Sequence, residues 1–403
     1  MSNKITKQAG DGNYMGALAM VHVDIGVSAL FQITPSTQGA EWLMEFKRLG
    51  MMPHTKLLLM NGEDDAFTAC HTASQCGSTV GTFTCSQGAL FAAQVIKSLG
   101  GSRCPVVTLF ATRTTSAPIS IHASHDDVLF FKDCGIITLF ARNPQEVYDL
   151  TLLAFKIGQD AKVQLPVIVA YDGFDVSHTV TSNDVLNEQG VLEYREWLGK
   201  YKRPNSLLSL DHAVSLGGLA LPHHHMDIVY AQLMAMENAA DVSKTAIAEF
   251  SERFWKIPDL INGYKMEDAE YAIVSLGSTF GTTREAVDVA REKGIKVGAL
   301  SIMSYRPFPV HDVREALGRM KAVAVLDRAP TFGTAVAQLG ADVAGVFYNS
   351  PLRPDMMNCI YGIGGRTLSV EHTFEQIIHP LVHERDAWID AARPVWVGVN
   401  GGK

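Results

Sequence analysis

"GIITLFARNPQEVYDLTLLAFKIGQDAKVQLPVIVAYDG", residues 135–173, carries the pattern from which the architecture of this chain follows. It begins and ends with short apolar runs, "GIITLFA" and "LPVIVAYDG", which are typical of strands buried on both faces. Between them, Asn143 stands at a helix N-cap, Pro144 at the first helical position and Glu146 at the third position of a capping box. A strand, a helix and a second strand in this order predict a parallel sheet covered by helices.

The same alternation continues on both sides of this stretch. Upstream, further strands are predicted at "TKLLLM" (55–60), "STVGTFT" (78–84) and "CPVVTLFA" (104–111), with a helix at "QGALFAAQVIKSLGG" (87–101). Residues 180–265 are polar and broken, with one long helix within 226–257, and indicate a connecting region. From Tyr271 a second block is predicted as strand, helix, strand, helix and strand: "YAIVSLGS", "TTREAVDVAREKG", "KVGALSIMSYRPFP", "HDVREALGRM" and "KAVAVLDRA".

Length, charge and hydropathy restrict the class of protein. A chain of 403 residues exceeds the size at which one core keeps growing, so two domains are expected. A net charge of −8 without any basic run argues against nucleic acid and against an anionic membrane as partners. The first residues lack the apolar segment of a leader peptide, and no uncharged apolar run reaches the ~20 residues of a membrane helix, so a cytoplasmic location is expected.

Four sequence features suggest cofactors or metals and are better explained without them. Six cysteines without a C-x-x-C pair predict free core thiols and no iron–sulfur cluster held by this chain. His223–His225 are predicted to lie in a loop, because adjacent residues of a helix do not share a face, and no metal site is predicted. "GDGN" (10–13) indicates a turn before a helix, with no strand preceding it, and serine and threonine caps account for "SLGSTFGTT" (275–283).

Single residues at the ends of predicted strands leave two interpretations open. Glu63, just beyond "KLLLM", is either a functional carboxylate at the ligand-binding edge of the sheet or a solvated loop acid. Arg113 suits a planar carboxylate through a bidentate fork, or pairs with Asp126 or Asp127. Thr34, in "QITPSTQG" (32–39), lies either in a simple turn or against a ligand.

Several motifs taken in order resemble a known family. "ITPS", the glutamate before "GTFTCSQG", "TRTTSAPISIHASHDDV", "DGFDVSH", "SYRPFP" and "AVLDRA" are similar to the alpha subunit of the multi-subunit 2-oxoacid:ferredoxin oxidoreductases, and most similar to the pyruvate enzyme. The resemblance spans almost the whole chain and becomes weaker between residues 185 and 265. It implies a subunit of an oxidoreductase that converts pyruvate, coenzyme A and oxidised ferredoxin reversibly into acetyl-CoA, carbon dioxide and reduced ferredoxin.

The resemblance also implies domains, cofactors and partners. Residues 1–262 are expected to form a domain like the pyrimidine-binding module of thiamine diphosphate enzymes, with the connecting region from about residue 185, and residues 263–403 a transketolase C-terminal-like α/β domain. Thiamine diphosphate with Mg²⁺ is expected to be shared with a beta subunit that carries the diphosphate-binding motif. The [4Fe-4S] clusters are expected on partner subunits, which include the beta chain, a gamma chain and a ferredoxin-like delta chain.

Four site residues follow from the matching motifs. Glu63 is expected to hydrogen-bond N1′ of the aminopyrimidine, where a shared proton favours the tautomer that removes the thiazolium C2 proton. Gln87 of "TFTCSQG" is expected at the cofactor. Arg113 is expected to hold the substrate carboxylate, and the hydroxyl of Thr34 to bond the carboxylate or keto oxygen of the substrate.

Departures from the family pattern concern the substrate. "EDDAFTACH" stands where relatives have a run of small residues, "TFTCSQG" has a cysteine for an alanine, and "SHDD" (124–127) replaces "DHSD". A branched-chain, aryl or other 2-oxoacid therefore remains open beside pyruvate, while retention of Thr34 disfavours oxalate. Two other hypotheses are a transketolase- or dehydrogenase-type subunit that does not use ferredoxin, and a catalytically silent structural subunit.

Overall fold

The computed structural model describes residues 4–204, 206–209, 213–391 and 393–400. Its first half alternates strands and helices. These are β1 (Ile5–Gly10), α1 (Gly12–Val23), β2 (Val27–Leu30), α2 (Thr37–Arg48), β3 (Lys56–Leu59), α3 (Glu63–Gln75), β4 (Val80–Thr84), α4 (Ser86–Phe91), α5 (Ala93–Gly101), β5 (Val106–Thr112), α6 (Asp126–Leu129), β6 (Ile137–Ala141), α7 (Pro144–Gly158) and β7 (Val167–Asp172).

Six of these strands form one parallel sheet, which has the order β6-β7-β5-β4-β2-β3. All seven residues of β5 and all six of β7 are buried, as expected for central strands with helices on both faces. The side chains of α1 and α7 cover one face, where Met15, Leu109 and Val147 share a core. The strands predicted from the apolar runs of this half are therefore confirmed, as is the parallel sheet.

The capping of α7 is confirmed with one change. The Asn143 side chain accepts a hydrogen bond from the Glu146 backbone N–H at 3.0 Å, and Pro144 begins the helix. The Glu146 carboxylate does not reach back to the amide of the cap residue. It accepts instead from the backbone N–H of Arg142 at 2.9 Å and pairs with the guanidinium of the same residue. A cation one position before the cap attracts the carboxylate away from the amide that the capping-box pattern predicts.

The connecting region contains β8 (Thr181–Leu186), α8 (Glu188–Leu198) and α9 (Pro222–Arg253). The long helix is confirmed, and its N-terminal turns are exposed on every side between residues 221 and 230. His223–His225 lie in the first turn of α9, so the prediction of a loop was wrong. Pro222 at the first helical position is the local signal for this start, because its fixed φ suits a helix N-terminus.

The second half repeats the alternation in a sheet of its own. Its elements are β9 (Ile261–Tyr264), β10 (Tyr271–Ser275), α10 (Thr279–Glu292), β11 (Val297–Ile302), β12 (Ser304–Arg306), α11 (Val310–Leu317), β13 (Ala322–Asp327), α12 (Gln338–Val346), β14 (Asp355–Ile360), a 3₁₀ turn (Ile363–Gly365), α13 (Val370–Thr373), a π turn (Phe374–Ile378), α14 (His379–His383), α15 (Arg385–Ala391) and β15 (Val395–Trp396). The sheet has the order β15-β14-β13-β10-β11-β9, and only β9 runs antiparallel to its neighbour.

The run "KVGALSIMSYRPFP" forms two strands rather than the single predicted one. β11 belongs to the second sheet, whereas β12 pairs antiparallel with β6 and becomes the seventh strand of the first sheet. The expected boundary between residues 262 and 263 falls inside β9. The second half of the chain therefore contributes one strand, β12, to the first sheet in addition to all the strands of the second sheet.

The start of the chain also differs from the prediction. β1 ends at Gly10 and pairs antiparallel with β8, so "GDGN" does follow a strand. Asp11 then caps α1 by accepting from the Tyr14 backbone N–H at 2.8 Å. The expected helix follows, but the motif is not a separate turn before it, because Gly10 ends β1, Asp11 is the N-cap, and Gly12 and Asn13 already belong to α1. No helix among the described residues is long and apolar enough to cross a membrane.

Candidate active site

The candidate site lies at the carboxyl edge of the first sheet, where β2 to β5 end. Glu63 begins α3 directly after the turn that follows β3, and only 9% of its surface is exposed. It is therefore not a solvated loop acid. Burial raises the pKa of the Glu63 carboxyl, its own backbone N–H lowers it, and the neighbouring charge of Asp64 raises it further. Overall the pKa of Glu63 is raised, so its carboxyl keeps its proton to a higher pH than an ordinary glutamate does.

Gln87 lies in the first turn of α4, directly after β4, and its neighbour Gly88 lies against Glu63. A Cβ at Gly88 would stand 2.2 Å from Glu63 Oε1, so the glycine allows the carboxylate to lie against the start of α4. The Gln87 Oε1 atom lies 2.5 Å from the Ser86 hydroxyl. The Gln87 Nε2 atom is buried and has no hydrogen-bond partner among the described residues. A buried amide donor without a partner is costly, and it fits a site that a polar ligand group completes.

Arg113 follows β5, with 6% of its surface exposed. Its guanidinium donates to the carbonyl oxygens of Thr34, at 2.8 Å from Nη1, and of Ser120, at 3.1 Å from Nε. Within the described part of the chain no carboxylate pairs with it. The predicted alternative of an ion pair with Asp126 or Asp127 is therefore wrong. A buried arginine that lacks an anion fits a site for a carboxylate ligand, because an uncompensated buried charge is unfavourable.

Thr34 and Arg113 lie together, as the motifs predict. The Thr34 carbonyl accepts from Arg113 and from the Cys85 thiol at 3.2 Å, while the residue as a whole is exposed. Asn13 holds the next residue, because its Nδ2 atom donates to the Pro35 carbonyl at 2.9 Å. The backbone of Thr34 is thus fixed from three sides, and its side chain lies at the surface of the site.

Asp127 organises the site and was recognised from the sequence only as an alternative partner of Arg113. It is fully buried, and its Oδ2 atom accepts the backbone N–H groups of Ser86 at 2.9 Å and Arg113 at 2.8 Å. Burial raises the pKa of this carboxyl, and the three amides that bond it act in the opposite direction. Asp127 therefore ties the turn that carries Gln87 to the strand end that carries Arg113. Its only sequence signal is the "SHDD" motif.

Other candidate groups show no catalytic arrangement. Burial raises the pKa of the Cys85 thiol to about 12, so this thiol stays protonated and is a poor nucleophile. All six cysteines are free, and four of them are buried. Among the described residues no group of three or more histidine, cysteine, aspartate or glutamate side chains is placed to hold a metal ion.

The segment "SLGSTFGTT" contacts the first sheet. The Ser278 backbone N–H donates to the Asp172 carboxylate at 2.8 Å, and the Ser278 side chain makes no cap bond, which corrects the prediction for this residue. A carboxylate from β7 thus stabilises the N-terminus of α10. This contact brings the carboxyl edges of the two sheets together.

Two solved structures have a similar arrangement of sheets. A 2-oxoglutarate:ferredoxin oxidoreductase from Magnetococcus marinus matches with a TM-score of 0.68 at 16% identity, over 93% of this chain and 65% of that one. A split-gene transketolase matches with a TM-score of 0.51 at 13% identity, over 94% and 98% of the two chains. At these identities the two likenesses show the fold, a pair of helix-covered α/β sheets, and no more.

Two sequence families match this chain and assign it more narrowly than the fold does. "Pyruvate flavodoxin/ferredoxin oxidoreductase, thiamine diP-bdg" matches residues 18–247, and "Pyruvate:ferredoxin oxidoreductase core domain II" matches residues 269–373. The chain belongs to this family, as an alpha-type subunit of a 2-oxoacid:ferredoxin oxidoreductase. The resemblance read from the motifs is thereby confirmed, as is the assignment to the oxidoreductases.

Curated relatives cover nearly the whole chain. Pyruvate synthase subunit PorA of Thermotoga maritima is 35% identical over 94% of this chain and 96% of that protein. PorA of Pyrococcus furiosus is 35% identical over 87% and 86% of the two chains. Ketoisovalerate oxidoreductase subunit VorA of Pyrococcus abyssi is 33% identical over 91% of each. Relatives with two different substrates in their names thus lie at nearly the same distance.

Proposed function

We propose that this chain is the alpha subunit of an enzyme that oxidises pyruvate with coenzyme A and ferredoxin to acetyl-CoA and carbon dioxide, reversibly. The observation that carries this proposal is the buried guanidinium of Arg113, which lies against Thr34 without a carboxylate partner in the described chain. The names of the PorA relatives favour pyruvate. The VorA relative, at 33% identity, makes a branched-chain 2-oxoacid the second candidate substrate.

The residues present fit the pyrimidine half of thiamine diphosphate. Glu63 offers a buried carboxyl with a raised pKa, and Gln87 offers a buried amide donor that has no partner among the described residues. In this proposal Glu63 holds a proton at N1′ of the aminopyrimidine, and the Gln87 amide orients the same ring. The bound coenzyme supplies a carbon nucleophile and an electron sink for decarboxylation.

Arg113 and Thr34 hold the substrate in this proposal. Two nitrogens of the guanidinium already donate to the carbonyls of Thr34 and Ser120, which fixes the plane of the fork. The remaining N–H groups are then oriented before a carboxylate arrives, and no side-chain rearrangement is needed. In this proposal the hydroxyl of the exposed Thr34 bonds the same carboxylate or the keto oxygen.

The remaining parts of the enzyme are assigned to other chains. The chain is one subunit of a multi-subunit enzyme, and we infer beta, gamma and ferredoxin-like delta chains as its partners. The beta chain would bind the diphosphate and Mg²⁺, and the [4Fe-4S] clusters would lie on partner chains. Those clusters would supply single-electron transfer to ferredoxin. The assembled enzyme is expected in the cytoplasm.

Replacing Arg113 tests the proposed substrate site. In the assembled enzyme, Arg113→Ala and Arg113→Lys should raise the apparent KM for pyruvate about 10- to 100-fold, because a charge-assisted fork is lost. The matched control is Arg142→Lys, a largely buried arginine whose partner is Glu146. Steady-state kinetics with a panel of pyruvate, ketoisovalerate and 2-oxoglutarate measures both the loss and the preferred substrate. An unchanged KM in both Arg113 variants would refute the assignment.

A further inference from the structure

The loop that begins at Arg113 is held to itself and to the second sheet. We call residues 113–125 the substrate loop. Within it, the Ser120 carbonyl accepts from the Arg113 Nε atom at 3.1 Å and from the Thr114 hydroxyl at 2.7 Å. The Thr114 backbone N–H also donates to the His122 carbonyl at 3.1 Å. The orientation of the Arg113 guanidinium therefore depends on where the far side of this loop lies.

The far end of the substrate loop rests on Arg328, which follows β13. The Ser124 hydroxyl and the His125 backbone N–H both donate to the Arg328 carbonyl, at 2.8 and 2.9 Å. The Gly365 backbone N–H donates to the Ala123 carbonyl at 3.1 Å. Gly365 has a φ of +77°, and a Cβ there would stand 2.6 Å from the His122 Cβ atom, so the second sheet approaches the loop as closely as a backbone can.

The Arg328 side chain is fixed at all three nitrogens. Nη1 pairs with Asp172 at 3.1 Å, Nη2 with Asp175 at 2.9 Å, and Nε donates to the Gly362 carbonyl at 3.1 Å. Asp172 is completely buried and also accepts from His125 Nε2 at 2.7 Å and from the Ser278 backbone N–H. An arginine held in a planar fork cannot shift without breaking several bonds at once, and its own carbonyl is held with it.

We propose that Arg328 is a positioning residue for Arg113, and therefore sets the affinity of the enzyme for its 2-oxoacid from the other half of the chain. The connection runs from the Arg328 carbonyl through Ser124 and His125 to the Ser120 carbonyl, which holds Arg113. The proposal rests on the proposed role of Arg113. It assigns substrate affinity to a residue whose carbonyl holds the far end of the substrate loop.

The test replaces Arg328 with lysine in the assembled enzyme. Lysine keeps the charge but is a single point donor, so it cannot bond Asp172, Asp175 and the Gly362 carbonyl together. Arg328→Lys should raise the apparent KM for the 2-oxoacid about tenfold. The kcat should stay within about threefold of that of the natural enzyme, and the affinity for thiamine diphosphate should be unchanged. The matched control is Arg291→Lys, since Arg291 also bonds a carboxylate, Asp268, and two carbonyls, but only within the second half of the chain.

Ser124→Ala is a second variant in case Arg328→Lys does not fold. It removes one of the two bonds to the Arg328 carbonyl and leaves the His125 bond in place, so KM should rise about threefold. In an Arg113→Lys background, adding Arg328→Lys should change KM by less than about twofold. Both substitutions act on the same contact, the one between residue Arg113 and the 2-oxoacid carboxylate.

Two results would overturn the proposal. One is a KM in Arg328→Lys and Ser124→Ala equal to that of the Arg291→Lys control while Arg113→Lys still raises it, which would leave the proposed function intact. The other is a parallel fall of kcat and coenzyme affinity with the rise in KM, which indicates general damage to the site. If Arg113→Lys also leaves KM unchanged, the proposed substrate site itself is wrong.

Discussion

Glu63 owes its properties to its place at the start of a helix with a glycine beside it. A carboxylate in the first helical turn is favoured in its charged form by the helix dipole, whereas burial against Gly88 favours the neutral form. Burial dominates, so the pKa of Glu63 lies above its usual range. A carboxyl whose pKa is raised keeps its proton to a higher pH than an ordinary glutamate does, which suits a group that shares a proton with a ring nitrogen.

Replacing Glu63 with glutamine should nearly abolish turnover. An amide of the same shape keeps the packing against Gly88 but cannot release or take up a proton at the aminopyrimidine, so we expect a fall in kcat of at least about 100-fold. Initial rates of the assembled enzyme measure this. Asp65→Asn is the control, because Asp65 lies in the same first turn and is exposed. A Glu63→Gln enzyme as active as the control would show that this carboxyl has no catalytic role.

At the scale of elements, α7 shows how a local pattern specifies structure. Asn143, Pro144 and Glu146 give the helix its start, and the helix is buried almost throughout its length between the first sheet and solvent-facing elements. Pattern and packing agree here, so the sequence alone predicts where the helix begins. The N-cap bond from the Asn143 side chain satisfies an amide that would otherwise have no partner.

Removing this cap should cost a measurable amount of stability. Asn143→Ala should lower the free energy of unfolding by about 1 kcal/mol, measured by urea unfolding of the full chain. Ser278→Ala is the control, because Ser278 occupies the N-cap of α10 without a side-chain cap bond and should change stability by less than about 0.5 kcal/mol. Equal losses in the two variants would contradict the assignment of the cap.

Elements whose pattern conflicts with their surroundings could not be predicted. β1 has the polar sequence "ITKQAG" and lies in a two-stranded sheet, so it shows no apolar periodicity. β12 has three residues and continues a longer apolar run, and nothing local indicates that it crosses to the other sheet. Strand pairing depends on residues far apart in sequence, and a reading of single segments misses it.

The candidate site likewise contains residues that the sequence predicts and contacts that it does not. Thr34 and Arg113 could be placed from motifs at strand ends, because the carboxyl ends of parallel strands meet at one edge. The role of Asp127 as acceptor of two backbone amides, and the support of the substrate loop by Arg328, depend on backbone bonds between distant segments. Side-chain identity alone carries no information about such bonds.

At the scale of the whole molecule, one buried charge cluster joins the two sheets. Burial raises the pKa of Asp172, but the Arg328 guanidinium and His125 outweigh it, so the pKa lies well below its ordinary value of 3.8. A carboxyl with a depressed pKa stabilises the fold at any pH above its unfolded value and loses that contribution as pH falls below it. The contact between the sheets should therefore weaken in acid.

Asp172→Asn tests this expectation. At pH 6 the variant should be less stable than the natural protein by about 3 to 5 kcal/mol, because Arg328 is left buried with a weakened partner. The difference should narrow as the pH of urea unfolding is lowered past 3.8, since the natural protein then loses the same contribution. Asp288→Asn, which removes an exposed partner of Lys265, should have a much smaller effect at both pH values. A difference that is constant with pH would show that Asp172 is not ionised in the fold.

The crossing of β12 also bears on how the chain is made. Synthesis proceeds from the N-terminus, and six strands of the first sheet are complete once Asp172 has left the ribosome, whereas the strand that covers the β6 edge ends only at Arg306. Until then the nascent chain presents a row of unsatisfied amides and carbonyls, which invites pairing with another polypeptide. Early contact with a chaperone, or rapid completion of translation, would protect this edge.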